Sequence, residues 1–356
     1  MTFTIDELSI PDDLEDDSAA DFLEMVRVRN EVEVGMLGSD VLQMTPEALA
    51  PLFRDNATRR QRHFVARVNG RIVGRARLAW KTRVDAPAAG LTIDVLGSHR
   101  QRGIGQALLD TLESAAIDLG RRVLQTDQGH TALSGGERVP SPTGFGSLPA
   151  ADPGVRFLVR NGYALEMVAR VSSLTVDSGL DAIREHRRSA EMHAGPDYGV
   201  VAWSGATPDG LLDDMAVLKT RMSTDAPMAG METVEDVWDT DRVRANDERE
   251  RRGGRDRFTA AAQHAPSGRL VGYTELTLPQ GGGAYAIQED TLVLREHRGH
   301  RLGMLVKAAN LLELAQHHPG TLVTTFNAED NRPMLDVNEA LGFAGIGLEG
   351  NWQKRI

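Results

Sequence analysis

At 356 residues the chain has the length of roughly two domains of about 150 residues each, and its formal net charge of −11 argues against a general nucleic-acid binder, which needs a basic face. It contains no cysteine, so disulfides, thiolate metal sites and a thiol nucleophile are excluded. The start, Met1-Thr2-Phe3-Thr4-Ile5-Asp6-Glu7, lacks a basic and an apolar signal region, and no run of about 18 apolar residues follows; a cytoplasmic protein with no membrane partner is expected.

In chain order, apolar periodicity predicts a helix over 19–36 and another over 45–55. Hairpin strands follow at 63–68 and 71–80, joined by the strong turn signal Asn69-Gly70. A strand over 90–96 leads into His99-Arg100-Gln101-Arg102-Gly103-Ile104-Gly105 and a helix running to Leu119. A strand over 122–126 comes next, and then a Gly/Ser/Pro-rich surface loop at 129–153, with Ser134-Gly135-Gly136 inside it. Phe157-Leu158, Asn161-Gly162-Tyr163 and a strand over 164–175 complete this half. A helical connector at 180–192, a strand over 199–204 and a helix over 211–222 begin the next. The charged stretch 239–256 is expected to be a solvated helix surface.

The second half then repeats the first. Pro266-Ser267-Gly268-Arg269-Leu270-Val271-Gly272 matches Val68-Asn69-Gly70-Arg71-Ile72-Val73-Gly74. His297-Arg298-Gly299-His300-Arg301-Leu302-Gly303 matches the earlier basic glycine loop, and both landmarks are offset by 198 residues. Two homologous domains are expected: 1–176, then a connector at 177–196, then 197–356. From the loop arginine to the later glycine, Arg100 to Gly162 spans 62 residues and Arg298 to Gly342 spans 44, so the first-half loop is an insertion. Each glycine loop lies between a strand and a helix start. Glycines let backbone N–H groups approach an anion, and the helix N-terminus adds positive partial charge, so both loops suit a phosphate. The scattered histidines show no metal-ligand spacing, and His297 and His300 are expected to be solvated rather than catalytic.

These residues resemble the GNAT superfamily of acyl-CoA-dependent N-acetyltransferases, whose signature is Arg or Gln, two residues, Gly, one residue, Gly or Ala. The first half matches at Arg100, Gly103 and Gly105. The second matches at Arg298 and Gly303 but carries Arg301 where the middle glycine is expected. The family's Asn and Gly-Phe landmarks correspond to Asn331 and Gly342-Phe343. The arrangement is similar to the tandem two-domain type, with mycothiol synthase an architectural analogue. The resemblance implies an α/β fold of two fused domains, each a mixed, mostly antiparallel sheet with splayed central strands flanked by helices. It also implies acetyl-CoA as co-substrate, with no metal. Its pantetheine arm would pair with the backbone of Ile93, Asp94 and Val95 and of Thr291, Leu292 and Val293. Loop residues Arg100 to Gly105 (Gln101, Arg102, Gly103 and Ile104 between) and Arg298 to Gly303 (Gly299, His300, Arg301 and Leu302 between) would hold the pyrophosphate, and Asn331 would contact the pantetheine or help shape the tunnel.

An attacking amine must be neutral, so a base is required. Glu289 is the candidate, and strand alternation places it on the face of Thr291 and Val293; the other reading is a charge at the start of the strand. The first half offers Ala89, Leu91 and Ile93 there. The family often supplies a tyrosine as acid; here that position holds Asn338, which can donate a hydrogen bond, and in the first half Leu158, which cannot. The expectation is an N-acetyltransferase moving an acetyl group directly to a primary amine of a small molecule, with the C-terminal domain catalytic. The alternative is a non-catalytic acyl-CoA sensor or structural protein.

Overall fold

The computed structural model describes residues 2–37, 43–83, 85–131, 136–225 and 227–356; Ser134 and Gly135 of the expected insertion lie outside them. The chain forms two compact units. The first comprises residues 1–169, 228–234 and 347–356, and the second 170–227 and 235–346. The units are thus not the contiguous stretches expected from the sequence, because the last ten residues pair with a strand of the first unit.

In the first unit, strand β1 (Thr4–Leu8) is followed by helices α1 (Ala20–Leu37) and α2 (Pro46–Phe53). Then come strands β2 (Arg59–Val68), β3 (Arg71–Lys81) and β4 (Ala88–Val95), helix α3 (Ile104–Asp118) and strand β5 (Val123–Thr131). Two capping side chains set helix starts: Thr45 accepts from the Ala48 amide ahead of Pro46, and Asp152 accepts from the Gly154 and Val155 amides at the head of α4 (Pro153–Arg160). Asn69 (φ 50°) and Gly70 (φ 79°) make the left-handed two-residue turn joining β2 and β3. The insertion is not wholly irregular, since β6 (Arg138–Pro140) and β7 (Ser147–Pro149) pair as a small hairpin within it. Strand β8 (Ala164–Thr175) ends the segment.

The second unit repeats the plan with α5 (Leu180–Ala194), β9 (Tyr198–Ser204), α6 (Leu212–Asp225) and α7 (Thr240–Arg252). After these follow β10 (Arg255–His264), β11 (Arg269–Pro279), β12 (Tyr285–Val293), α8 (Leu302–His317), β13 (Leu322–Ala328) and α9 (Arg332–Leu341). Helix α8 buries residues around most of its circumference, because β10 and β11 cover one side and α5 the other. The final strand, β14 (Ala344–Arg355), pairs antiparallel with β5 from Gly347↔Thr131 to Arg355↔Val123. It carries Trp352, fully buried, into the first unit's core beside Leu148 and Leu165.

In each unit most neighbouring strands are antiparallel and one central pair is parallel. The parallel pair β4/β5 is registered only from Ala88↔Val123 to Gly90↔Gln125, and β12/β13 only from Tyr285↔Leu322 to Gln288↔Thr325. Beyond these points the strands are no longer paired. The backbone edge of Leu91 to Val95, and that of Glu289 to Val293, is therefore open on one side, which is where an extended ligand can add hydrogen bonds.

Candidate active site

Both glycine loops have the same backbone. A single 3-10 turn, Gly97–His99 or Arg295–His297, leads to an extended arginine: Arg100 (φ −68°, ψ 162°) or Arg298 (φ −71°, ψ 163°). Each arginine folds back on its own strand, Arg100 Nε donating to Val95 O at 3.0 Å and Arg298 Nε to Val293 O at 3.1 Å. Two left-handed positions follow. In the first loop they are Gln101 (φ 59°) and Gly103 (φ 82°), and in the second Gly299 (φ 87°) and Arg301 (φ 55°). The departure from the glycine signature is thus an exchange between two equivalent positions, each loop holding one non-glycine residue there at a cost of about 1–3 kcal/mol.

Neither helix has a side-chain cap: Gly103 precedes Ile104 at the head of α3, and Arg301 precedes Leu302 at the head of α8. The first-turn amides face outward with their dipole. A Cβ added at Gly103, Gly299 or Gly303 would meet nothing within 4 Å, whereas one at Gly105 would touch Val95 and Phe157 at ordinary distances of 3.8 and 3.9 Å. The open space above uncapped amides fits a pyrophosphate in both units. The second loop also has a tether: Asp225 at the end of α6 accepts from Arg298 at 3.1 Å and Arg295 at 3.3 Å, and Arg301 reaches Ser189 at 3.3 Å.

Next to the open edge of β12 lies Glu289. Its face differs from the expectation. Register along β11 runs from Thr274↔Thr291 to Leu276↔Gln288, so Glu289 and Asp290 together oppose Glu275 in a β-bulge. The bulge breaks the alternation, and Glu289 shares a face with Asp290, Tyr273 and Thr277 while Thr291 turns to Thr274 at 2.8 Å. In the first unit β3 and β4 pair in unbroken register. Glu289 Oε1 accepts from Thr277 Oγ1 at 2.6 Å and from Arg255 at 3.1 Å. Protein surrounds the carboxyl, yet 40% of its side-chain surface remains open, as at the wall of a cleft. Desolvation by the surrounding protein raises its pKa from the ordinary carboxylate value; Arg255 and the Thr277 hydrogen bond oppose this, and Asp290 and Glu250 add to it.

Around this face runs a buried ionic network that sequence reasoning missed. Lys219 of α6 meets Glu275 at 2.7 Å, and Arg257 of β10 meets Asp247 of α7 at 2.5 Å and Glu275 at 3.6 Å. Tyr273 O–H donates to Asp290 at 3.0 Å. The stretch expected to be a solvated helix surface therefore has an inner side, since Asp247 is buried and also accepts from the Thr207 amide at 2.8 Å. The signal available was Glu275, a lone charge in the middle of the largely apolar β11. A cavity of about 350 Å³ lies against this network, lined by Thr207, Asp247, Glu250, Arg255 and Arg257 among others.

Asn338 is fully buried on α9, its amide donating to Asn327 Oδ1 of β13 at 2.6 Å while its own Oδ1 has no partner among the described residues. Asn331 heads the same helix, its carbonyl accepting from the Met334 and Leu335 amides, both at 3.1 Å, with no side-chain capping bond.

Residues 35–133, covering most of the first unit's sheet and its glycine loop, match the sequence model of the Acetyltransferase (GNAT) family. A solved tandem GNAT protein from the clavulanic acid biosynthesis pathway is similar over 99% of this chain and 98% of its own, with 27% identity and a TM-score of 0.73. The chain is a tandem GNAT acetyltransferase. As such it is an acyl-CoA-dependent N-acetyltransferase of two fused GNAT domains. A GCN5-related N-acetyltransferase from Sphaerobacter thermophilus shares the fold over 99% of this chain and 95% of its own, at 14% identity and a TM-score of 0.60. No curated protein sequence is matched. Among the described residues no helix is long and apolar enough to cross a membrane.

Proposed function

We propose that the second unit carries out the transfer, moving the acetyl group of acetyl-CoA directly to a primary amine of a small molecule, and that the first unit holds acyl-CoA without turnover. The observation that carries this reading is Glu289, a carboxylate with a raised pKa beside the open edge of β12, where the first unit has Leu91. Acetyl-CoA supplies an activated thioester. Amides of Arg298 to Gly303 bind its phosphates, the backbone of Thr291 to Val293 pairs with its arm, and Asn331 lines the passage. Glu289 takes the proton from the amine nitrogen, and Arg255 and Thr277 fix the carboxylate through Oε1 so that Oε2 faces the acceptor. Asn338, oriented by Asn327, gives its second N–H to the departing sulfur. In the first unit the amides of Arg100 to Gly105 and the edge of Ile93 to Val95 serve the same holding role.

The acidic excess of the chain suits a cationic acceptor. The test is thiol release from acetyl-CoA against a panel of polyamines, aminoglycosides and amino-acid amines. Turnover with at least one class of small primary amine is expected. Tight binding of acetyl-CoA with no release for any amine would replace this reading with that of a sensor.

A further inference from the structure

Beside the second glycine loop lies a group of rings to which the proposed transfer gives no role. Tyr198 of β9 bonds through its hydroxyl to His297 Nδ1 at 2.9 Å. Its ring centre lies 4.9 Å from that of His300 and 5.3 Å from that of His264 at the end of β10, and His264 and His297 are 5.0 Å apart. His264 Nδ1 is engaged with Ser267 Oγ at 2.9 Å. Both imidazoles of the close pair therefore have Nδ1 tied down, which leaves Nε2 to meet a ligand. Among the described residues no three His, Asp or Glu are placed to hold a metal ion, so the group is not a metal site. At the corresponding strand end the first unit has Val68, and in its loop Arg102 stands where His300 stands.

The charge acting on His297 from its own loop is Glu296. The loop also carries Arg295, Arg298 and Arg301, Asp225 of α6 pairs with Arg295 and Arg298, and α5 brings His193, whose Nε2 lies 3.1 Å from Gly299 O. Asp225 thus engages two of the three loop arginines. Partial burial, and then the neighbouring His264 and His300, hold His297 below its ordinary pKa, with Glu296 opposing. This favours its neutral form before a ligand arrives. A phosphate dianion favours the imidazolium form.

We propose that Tyr198, His264, His297 and His300 form a phosphate subsite of the second unit that takes up a proton from solvent when an acyl-CoA-type ligand binds. This rests on placing the pyrophosphate at the loop from Arg298 to Gly303. By linkage, affinity falls as pH rises through the range in which bound and free forms differ in protonation.

Calorimetric titration with CoA at pH 7, in buffers of small and large ionisation enthalpy, reads the proton count directly. The protein is expected to take up about one proton, and its Kd for CoA to rise about 3- to 10-fold between pH 6 and pH 8. His264→Gln combined with His297→Gln should abolish both effects while CoA still binds; each single variant and Tyr198→Phe provide intermediate cases should the double variant fold poorly. Uptake that is absent in the wild type, or unchanged in the double variant, overturns the subsite while leaving the loop assignment intact. CoA binding that ignores Gly303→Val overturns the loop assignment and the subsite with it.

Discussion

Thr277 donates its hydroxyl hydrogen to Glu289 across 2.6 Å, and Arg255 approaches the same Oε1, so both contacts hold one oxygen of this carboxylate. Because desolvation raises the Glu289 pKa above the ordinary value of 4.5, the base is present above that raised pKa and is lost as pH falls through it. The acidic limb of the kcat profile should therefore lie above pH 4.5. Thr277→Val removes a hydrogen bond that favours the ionised form, and should move that limb to higher pH. A limb that does not move would separate Thr277 from the base.

Gly303→Val places a branched side chain in space that is empty within 4 Å of the Cβ position. Binding of acetyl-CoA at the second unit should be lost with little change in the stability of the ligand-free protein. Thermal protection by acetyl-CoA, about 2.7 kcal/mol per site at a hundred times its Kd, measures this. Undiminished protection and stoichiometry would mean that the pyrophosphate lies elsewhere.

Lys219→Met leaves Glu275 buried beside Arg257 without its 2.7 Å partner. Breaking a buried pair in this way costs about 3–5 kcal/mol in denaturant unfolding of the second unit. Burial works to raise the Glu275 pKa, but Lys219 and then Arg257 outweigh it and the result is a lowered value. The stabilisation from Glu275 is accordingly complete above 4.5 and lost as pH falls through the lower folded pKa. Lys219→Met should weaken this dependence; an unfolding free energy unchanged by the substitution would show that the network contributes nothing.

Trp352→Ala should destabilise the first unit by about 3–5 kcal/mol, although Trp352 is encoded near the C-terminus, because its side chain is fully buried in that unit's core. Three residues earlier on β14, Glu349 has a pKa raised to about 8, by burial first and then by Asp127 and Glu33, with Asn351 opposing. A group whose folded pKa exceeds its unfolded value makes the first unit lose stability as pH rises from about 4.5 towards 8. Glu349→Gln should flatten that slope and raise Tm at pH 8. A steeper slope in the variant would reverse the assignment.

Much of the plan was legible in the sequence because glycines at fixed offsets mark it: Gly70 and Gly268 at hairpin turns, Gly105 and Gly303 at helix starts, all within one 198-residue repeat. The exchange of Gln101 and Gly103 for Gly299 and Arg301 was not legible, because either order satisfies two left-handed positions. Nor was the side on which Glu289 points, since a bulge of one residue reverses alternation without a compositional mark. Pairing of Gly347 to Arg355 with β5 depends on partners more than 200 residues away in sequence, which local patterning does not encode. Asp247 sat in a run of charges whose average suggested solvent, while it lies on the helix's inward side with Val243 and binds Arg257.

The most direct test of the account is steady-state turnover of Glu289→Gln beside that of Gly105→Val. Glutamine keeps the shape and removes the proton acceptor, so kcat should fall about 10²- to 10⁴-fold with binding of acetyl-CoA nearly intact. Gly105→Val should cost occupancy of the first unit and leave turnover near that of the wild type. Turnover that survives Glu289→Gln but disappears in a stably folded Gly105→Val protein would place the chemistry in the first unit and contradict the account.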